Sequence, residues 1–254
     1  MRVCAIKTRQ ITVQDRDLVA ILDTHLTSLE ERSVLVITSK IVSICQGRVI
    51  KVEDADKQAL IEREADLFLP PGTSRYHASL TIKDNLLIPM AGIDESNGNG
   101  YYILWPVDLQ KTASQVRAYL ERRFARKQVG VIITDSTTMP LRWGVTGVAL
   151  AHSGFLALND YIGKTDIFER TLQMTKVRVA DALATAAVLV MGEGNEQTPL
   201  AVIDDLPFVT FQERDPSAEE LQQLRIDMED DLYAPLLKGV EWCRGLGYGL
   251  HSAP

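Results

Sequence analysis

The heptapeptide Ala91-Gly92-Ile93-Asp94-Glu95-Ser96-Asn97 puts carboxylate, hydroxyl and amide side chains into one glycine-flanked turn. The apolar run Leu86-Leu87-Ile88-Pro89-Met90 leads into it, and Gly98-Asn99-Gly100 follows. Hard oxygen ligands and amide donors at the end of an apolar element suit magnesium or manganese bridging to phosphates. Two further segments repeat the pattern. Ile132-Ile133-Thr134-Asp135-Ser136 ends an apolar run that reads as a buried strand, and Met191-Gly192-Glu193-Gly194-Asn195-Glu196 follows a long helical pattern. Each turn alone is a weak signal. Together, three carboxylate-bearing turns at the ends of apolar elements imply a metal and nucleotide site.

Each residue also has an ordinary structural role. A turn aspartate such as Asp94 commonly closes an Asx turn on its own backbone, and Ser96 and Asn97 beside it argue for a ligand instead. Asp135, ahead of Ser136-Thr137-Thr138, is either a cap or a carboxylate at the edge of a sheet where ligands bind. The glycines around Glu193 either end a helix or let backbone amides approach a phosphate.

The elements that must position these turns read as a mixture. Val34–Thr38, Val129–Ile133 and Leu200–Ile203 are short, β-branched, continuously apolar runs, as strands covered on both faces require. Between them lie helical patterns. Thr112-x-x-Gln115 reads as a capping box ahead of the stripe Val116, Tyr119, Leu120 and Phe124. Val177, Ala180, Ala184, Ala187, Val188 and Met191 keep helical spacing with small residues. Ser217-x-x-Glu220 opens a third helix carrying Leu221, Leu224, Met228 and Leu232. The fold class is therefore α/β or α+β. Pro70-Pro71-Gly72-Thr73 and Asn97-Gly98-Asn99-Gly100 are the strongest breaks. The acidic cluster Asp227, Glu229, Asp230 and Asp231 reads as a solvated helix face.

Composition narrows the function. The chain has 254 residues and a formal net charge of −7, which argues against phosphate-driven nucleic-acid binding. Its longest apolar runs are too short to span a bilayer, and the N-terminus carries no secretory core, so a cytoplasmic protein is expected. Cys4, Cys45 and Cys243 have no metal-binding spacing and read as buried free thiols. His25, His77, His152 and His251 form no local ligand pair, and the three tryptophans, Trp105, Trp143 and Trp242, read as core or interface aromatics. Neither a Walker phosphate loop nor a Gly-x-Gly-x-x-Gly fingerprint is present, so any nucleotide is held by other architecture.

The ordered motifs carry a resemblance. Thr38-Ser39-Lys40-Ile41-Val42-Ser43 with Gly47-Arg48, Gly92 to Asn97, and Ile133-Thr134-Asp135-Ser136 resemble the coenzyme F-420 γ-glutamyl ligase family. So do Arg142-x-Gly144, Gly163-x-x-Asp166, Val179-Ala180-Asp181 and Met191 to Gly194 with Pro199. The resemblance runs to about Phe208. It implies a single catalytic unit over 1–254 with two interleaved α/β lobes, assembled as a homodimer. It also implies a ligase that joins L-glutamate to an acceptor carboxylate using GTP (ATP being the alternative) and two Mg or Mn ions, with room for a monovalent cation. The stretch Met191 to Pro199 is more similar to a branch associated with folate polyglutamylation.

Carried over by position, the resemblance implies Asp94, Asp135, Ser136 and Glu193 as metal ligands. It implies Gln10, Ile11, Thr12, Val13, Ser39, Lys40, Asn97, Gly192, Gly194, Asn195, Glu196, Gln197, Thr198 and Pro199 at the nucleotide. Asp94, Asp135 and Arg142 are expected to serve catalysis, with Arg142 and Arg170 able to grip anions bidentately. Such a reaction needs charge neutralisation and positioning, with little covalent help from protein.

Departures from the family pattern remove a lysine expected at the nucleotide and alter charge around the expected acceptor and base pockets. Ser43-Ile44-Cys45-Gln46-Gly47-Arg48 lacks a lysine and a glutamate of the usual Ser-Lys-x-Glu-Gly-Arg, and Thr138-Met139-Pro140 replaces Gly-Arg-Pro. Ala151-His152 and Asp204-Asp205 also differ from the family pattern. The expected acceptor is a folate, a related glutamylated cofactor or an oligoglutamate. The alternative is a degenerate nucleotide- and metal-binding regulatory protein, against which the intact Asp94, Asp135 and Glu193 argue.

Overall fold

The computed structural model describes residues 1–247, and His251 lies outside them. The chain opens with β1 (Arg2–Ile6), α1 (Leu18–His25), β2 (Ser33–Thr38) and α2 (Ser39–Cys45). It continues through β3 (Val49–Lys51), α3 (Lys57–Glu64), β4 (Leu67–Phe68), β5 (Leu80–Lys83), β6 (Leu86–Pro89) and β7 (Tyr101–Ile103). Next come α4 (Leu109–Phe124), β8 (Val129–Thr138), β9 (Val145–Ser153), β10 (Leu158–Asp160) and β11 (Lys176–Arg178). The last elements are α5 (Val179–Met191), β12 (Leu200–Asp204), α6 (Ala218–Gln222), α7 (Ala234–Leu237) and β13 (Cys243–Arg244).

The main sheet has the order β1-β12-β2-β8-β9. Only β2 and β8 run parallel within it; the other pairings are antiparallel. This is a mixed α and β fold, as expected. Leu35 and Ile37 of β2 face a core shared with α1, α2 and α4. Val34 and Val36 face the opposite core, built on α5. Apolar residues at consecutive positions thus serve both faces of one strand.

The small-residue stripe of α5 is consumed inside the chain. Ala180, Ala184 and Ala187 are buried in the core, and a Cβ at Gly147 of β9 would lie 2.5 Å from the Ala184 carbonyl oxygen. Helix and sheet approach so closely only because both surfaces lack bulk. Residues between α2 and α4 build a separate core from Leu60, Ile61, Ala65, Ala91, Ile93, Tyr102 and Leu104. Beside it, β13, β4, β5 and β6 form a second, antiparallel sheet.

Several local expectations are corrected. Helix α4 begins at Leu109 behind Asp108, so Thr112 lies inside it and donates its backbone N–H to the Asp108 carbonyl. Val177 belongs to β11, leaving α5 to start at Val179. The Ser217–Glu220 capping box is present, but its helix stops at Gln222, short of Leu224, Met228 and Leu232. Asp227, Glu229, Asp230 and Asp231 consequently lie in turns, not on a helix face. Cys4 and Cys243 are exposed and Cys45 is half-buried, where the expectation was burial; short edge strands leave their side chains uncovered. Burial and the neighbouring Asp15 and Asp17 charges push the Cys45 thiol up to about 11, which leaves it protonated and inert. Among the described residues no helix is long and apolar enough to cross a membrane.

Candidate active site

The Asp94 turn is built from strained backbone. Met90, Ala91 and Gly92 have φ values of 54°, 52° and 72° in succession, and the left-handed region costs a non-glycine residue about 1–2 kcal/mol. Asn97 and Asn99 share that conformation. At Gly92 a side chain is excluded outright, because a Cβ there would lie 2.1 Å from Trp105 Nε1. Such strain persists where surrounding structure enforces it, commonly at functional sites.

Asp94 closes an Asx turn by accepting the Ser96 N–H at 2.7 Å and the Ser96 hydroxyl at 3.0 Å. The structural and functional readings of this residue therefore coexist. Lys40, at the start of α2, reaches across to Asp94 Oδ2 at 2.6 Å and to the Ser96 carbonyl and hydroxyl at 3.0 and 3.1 Å. Partial burial pushes the Asp94 carboxyl up, but the Lys40 ammonium and the Ser96 donors outweigh it and hold it below its ordinary value. Asn97 donates to the Gly194 carbonyl at 3.0 Å, joining this turn to the glycine turn after α5.

Asp135 is not at a turn. The hairpin of β8 and β9 continues past it to Thr138, because Thr134 to Thr138 are polar residues that still satisfy their backbone on β9. A register shift between Ile133 and Thr134 re-aims the strand just before Asp135. Its carboxyl accepts the Ser136 N–H at 2.9 Å and the Trp105 indole N–H. Burial pushes it up to about 6; the Asp94 charge adds to this, while Ser136, Trp105 and Lys40 oppose it. Ser136, next along β8, donates its hydroxyl to the Glu193 carboxylate at 2.5 Å.

Backbone hydrogen bonds tie together the segments expected at the nucleotide. Thr8 N–H bonds the Gln197 carbonyl at 2.8 Å, which ties the start of the loop that carries Gln10, Ile11, Thr12 and Val13 to the segment from Gly192 to Pro199. Thr38 N–H bonds the Pro199 carbonyl at 3.0 Å, which seats that segment against Ser39 and Lys40. Glu196 folds back to accept the Gly194 N–H at 2.8 Å. Thr198 donates to the Met191 carbonyl at 2.5 Å. Gly192 has φ 77°, a conformation that favours glycine, and a Cβ there would lie 2.5 Å from the Glu196 carboxyl carbon, while Asn195 is exposed on the same turn.

Other expected residues stay apart. Arg142 sits in the exposed tip loop between β8 and β9, roughly 10 Å of strand beyond Asp135. Arg170 lies on the exposed excursion between β10 and β11. The three carboxylates do not form a closed cage, and among the described residues no group of three or more His, Cys, Asp or Glu is gathered to hold a metal. Like charges repel until a cation joins them, so Asp94 is satisfied by Lys40 and Glu193 by Ser136. The donor set nonetheless fits a hard divalent ion: oxygen ligands only, with a desolvated Asp135 carboxyl raised further by Asp94.

A scan against family models matches residues 5–205 to F420-0:Gamma-glutamyl ligase. The chain belongs to this ligase family. A coenzyme F420:L-glutamate ligase of Methanopyrus kandleri is 34% identical over 76% of this chain and 83% of its own length. That of Methanocaldococcus jannaschii is 31% identical over 81% and 83%, and that of Archaeoglobus fulgidus 31% over 76% and 84%. The family match spans all three carboxylate segments and ends just after β12. One participant was not legible as such in the sequence: Trp105, read there only as a core or interface aromatic, whose indole reaches Asp135. A tryptophan's polar N–H is the one local signal that pointed beyond packing.

Proposed function

We propose that this protein is a metal- and NTP-dependent ligase, with GTP as the expected nucleotide, that adds L-glutamate to a carboxylate acceptor through an acyl phosphate. The observation that carries the reading is the meeting of Lys40, the Asp94 turn, Asp135-Ser136 and the Glu193 turn, four distant segments, where the paired run of parallel strands β2 and β8 ends at Thr38 and Thr134. The family's relatives named as glutamate ligases support it. The residues that would hold Mg or Mn are Asp94, Asp135, Ser136 and Glu193. When bound, the ions would neutralise phosphate charge and draw the acceptor oxygen to the phosphorus.

The protein's own groups then have defined work. Lys40 supplies a point charge that can pass from Asp94 to a phosphate oxygen. The Gly192 to Gly194 turn lets phosphate approach its backbone, and Asn97 holds that turn to the Asp94 loop. Phosphorylating the acceptor carboxylate turns one oxygen into part of a leaving group, which the amine of glutamate then displaces as phosphate. The proposed acceptor is a folate, a related glutamylated cofactor or an oligoglutamate, in keeping with a folate-type branch.

The working unit we envisage is cytoplasmic, with two interleaved lobes paired as a homodimer. Leu141 and Trp143 in the β8–β9 tip, and Ile167, Phe168 and Met174 between β10 and β11, are strongly exposed apolar side chains. A second copy would cover them. The test incubates purified protein with L-glutamate, GTP or ATP, Mg or Mn and a panel of these acceptors. A product heavier by one or more glutamyl residues supports the proposal. Nucleotide binding without product on any acceptor favours the degenerate regulatory reading.

A further inference from the structure

Trp105 is only 2% exposed, in a position where phenylalanine or leucine would fill space without bringing a polar atom. A buried indole N–H must find an acceptor, and this one donates to the Asp135 carboxylate. The ring is fixed from several sides. Gly92 lies flush against its edge, with no room for a Cβ. The Lys83 ammonium stands 5.8 Å from the ring centroid and is itself neutralised by Glu64 at 2.9 Å.

The backbone around Trp105 is stapled as firmly. Arg48 donates to the Trp105 carbonyl at 3.1 Å and to Glu64 at 2.6 Å. Its own carbonyl accepts the Leu104 N–H at 3.0 Å. The Gln46 amide makes a two-point clamp on Val107, donating at 3.0 Å and accepting at 2.9 Å. A carboxylate at position 46 could accept there but not donate.

We propose that Trp105 is a positioning residue for Asp135, clamped by Gln46, Arg48 and Gly92 so that its indole N–H orients the carboxylate toward a bound divalent ion. The idea rests on the ligand role given to Asp135 above. The second oxygen of that carboxylate is held by the Ser136 N–H, so two donors fix its plane and leave the outer lone pairs for a cation. Groups that orient a ligand in this way typically change metal affinity or activity by about 10–100-fold when removed.

The experiment pairs metal binding with a spectroscopic probe. Mn²⁺ is titrated into wild type, Trp105→Phe, Gly92→Ala and the control Trp242→Phe, whose indole donates instead to Leu237, and free ion is read by electron paramagnetic resonance. Trp105→Phe and Gly92→Ala should each weaken Mn²⁺ binding about 10–100-fold, with the control unchanged. In nitrogen-15 spectra, Asp135→Asn should move the Trp105 indole resonance, identified by its loss in Trp105→Phe, and leave those of Trp143 and Trp242 in place. Wild-type Mn²⁺ affinity in Trp105→Phe, or an indole resonance indifferent to Asp135→Asn, overturns the proposal. Wild type that binds no Mn²⁺ defeats the ligand reading itself, a result distinct from loss confined to the two site variants.

Discussion

Replacing His152 by glutamine should remove a large part of the protein's acid sensitivity. His152 sits on β9 opposite Ile132, 3% exposed, with its ring 5.3 Å edge-on from Phe155. It lines a cavity of about 30 Å³ with Glu220 and Leu224. Burial drives its imidazole down to about 4, only partly opposed by the Glu220 charge. An unfolded chain carries a histidine near 6.5, so between about 6.5 and about 4 the unfolded state binds the extra proton and stability falls as pH falls. Over the whole window the loss is about 3 kcal/mol, of which about 2 kcal/mol is lost between about pH 7 and pH 5. Glu220 does not confuse the reading. Its Arg214 and Gln212 partners overcome partial burial to hold it down at about 2, so its stabilisation is lost only at pH values below the ordinary glutamate range. Urea unfolding of wild type and His152→Gln at both pH values, compared through their midpoints and slopes, isolates the histidine. Wild type should lose about 2 kcal/mol more than the variant. Equal losses would mean that the folded imidazole already carries its proton or meets water, and the reasoning would fail.

Three further outcomes follow from the site. Asp94→Asn and Asp135→Asn should each abolish ligation while leaving the urea midpoint close to wild type; near-normal turnover by either soluble variant counts against their role. Lys40→Ala should weaken nucleotide binding more than glutamate binding in calorimetry, since its ammonium is the nearest mobile positive charge on Asp94; unchanged nucleotide affinity would confine Lys40 to the Asp94 turn. Light scattering at micromolar concentration should give a dimer mass, and a monomer would leave the apolar tips around Trp143 and Phe168 without their proposed cover.

The sequence was most legible where local pattern and burial agree. Val34 to Ile37 and Leu200 to Ile203 alternate between two covered faces, and continuous apolar runs announce such strands. Asp135 was misplaced because the strand was ended at its last apolar residue. The hairpin instead runs on through threonines whose backbone pairs with β9. Thr112-x-x-Gln115 imitates a capping box, but Asp108, with φ 49°, starts the helix one turn earlier. The acidic residues near Asp230 carry helical composition without a helix, because α6 ends at Gln222. Within the site, the Asp94 turn was legible from residue types. Its pairing with Lys40 and the indole bond to Asp135 depend on long-range packing that no local window contains.

The most direct test of the central claim follows oxygen from acceptor to phosphate. Acceptor labelled with oxygen-18 in its carboxylate is incubated with protein, L-glutamate, GTP and Mg or Mn, and the nucleotide and phosphate products are weighed by mass spectrometry. Activation through an acyl phosphate predicts nucleoside diphosphate and orthophosphate, with the label in the phosphate and only when an acceptor is present. Nucleoside monophosphate with pyrophosphate, or unlabelled phosphate alongside a glutamylated product, would contradict it.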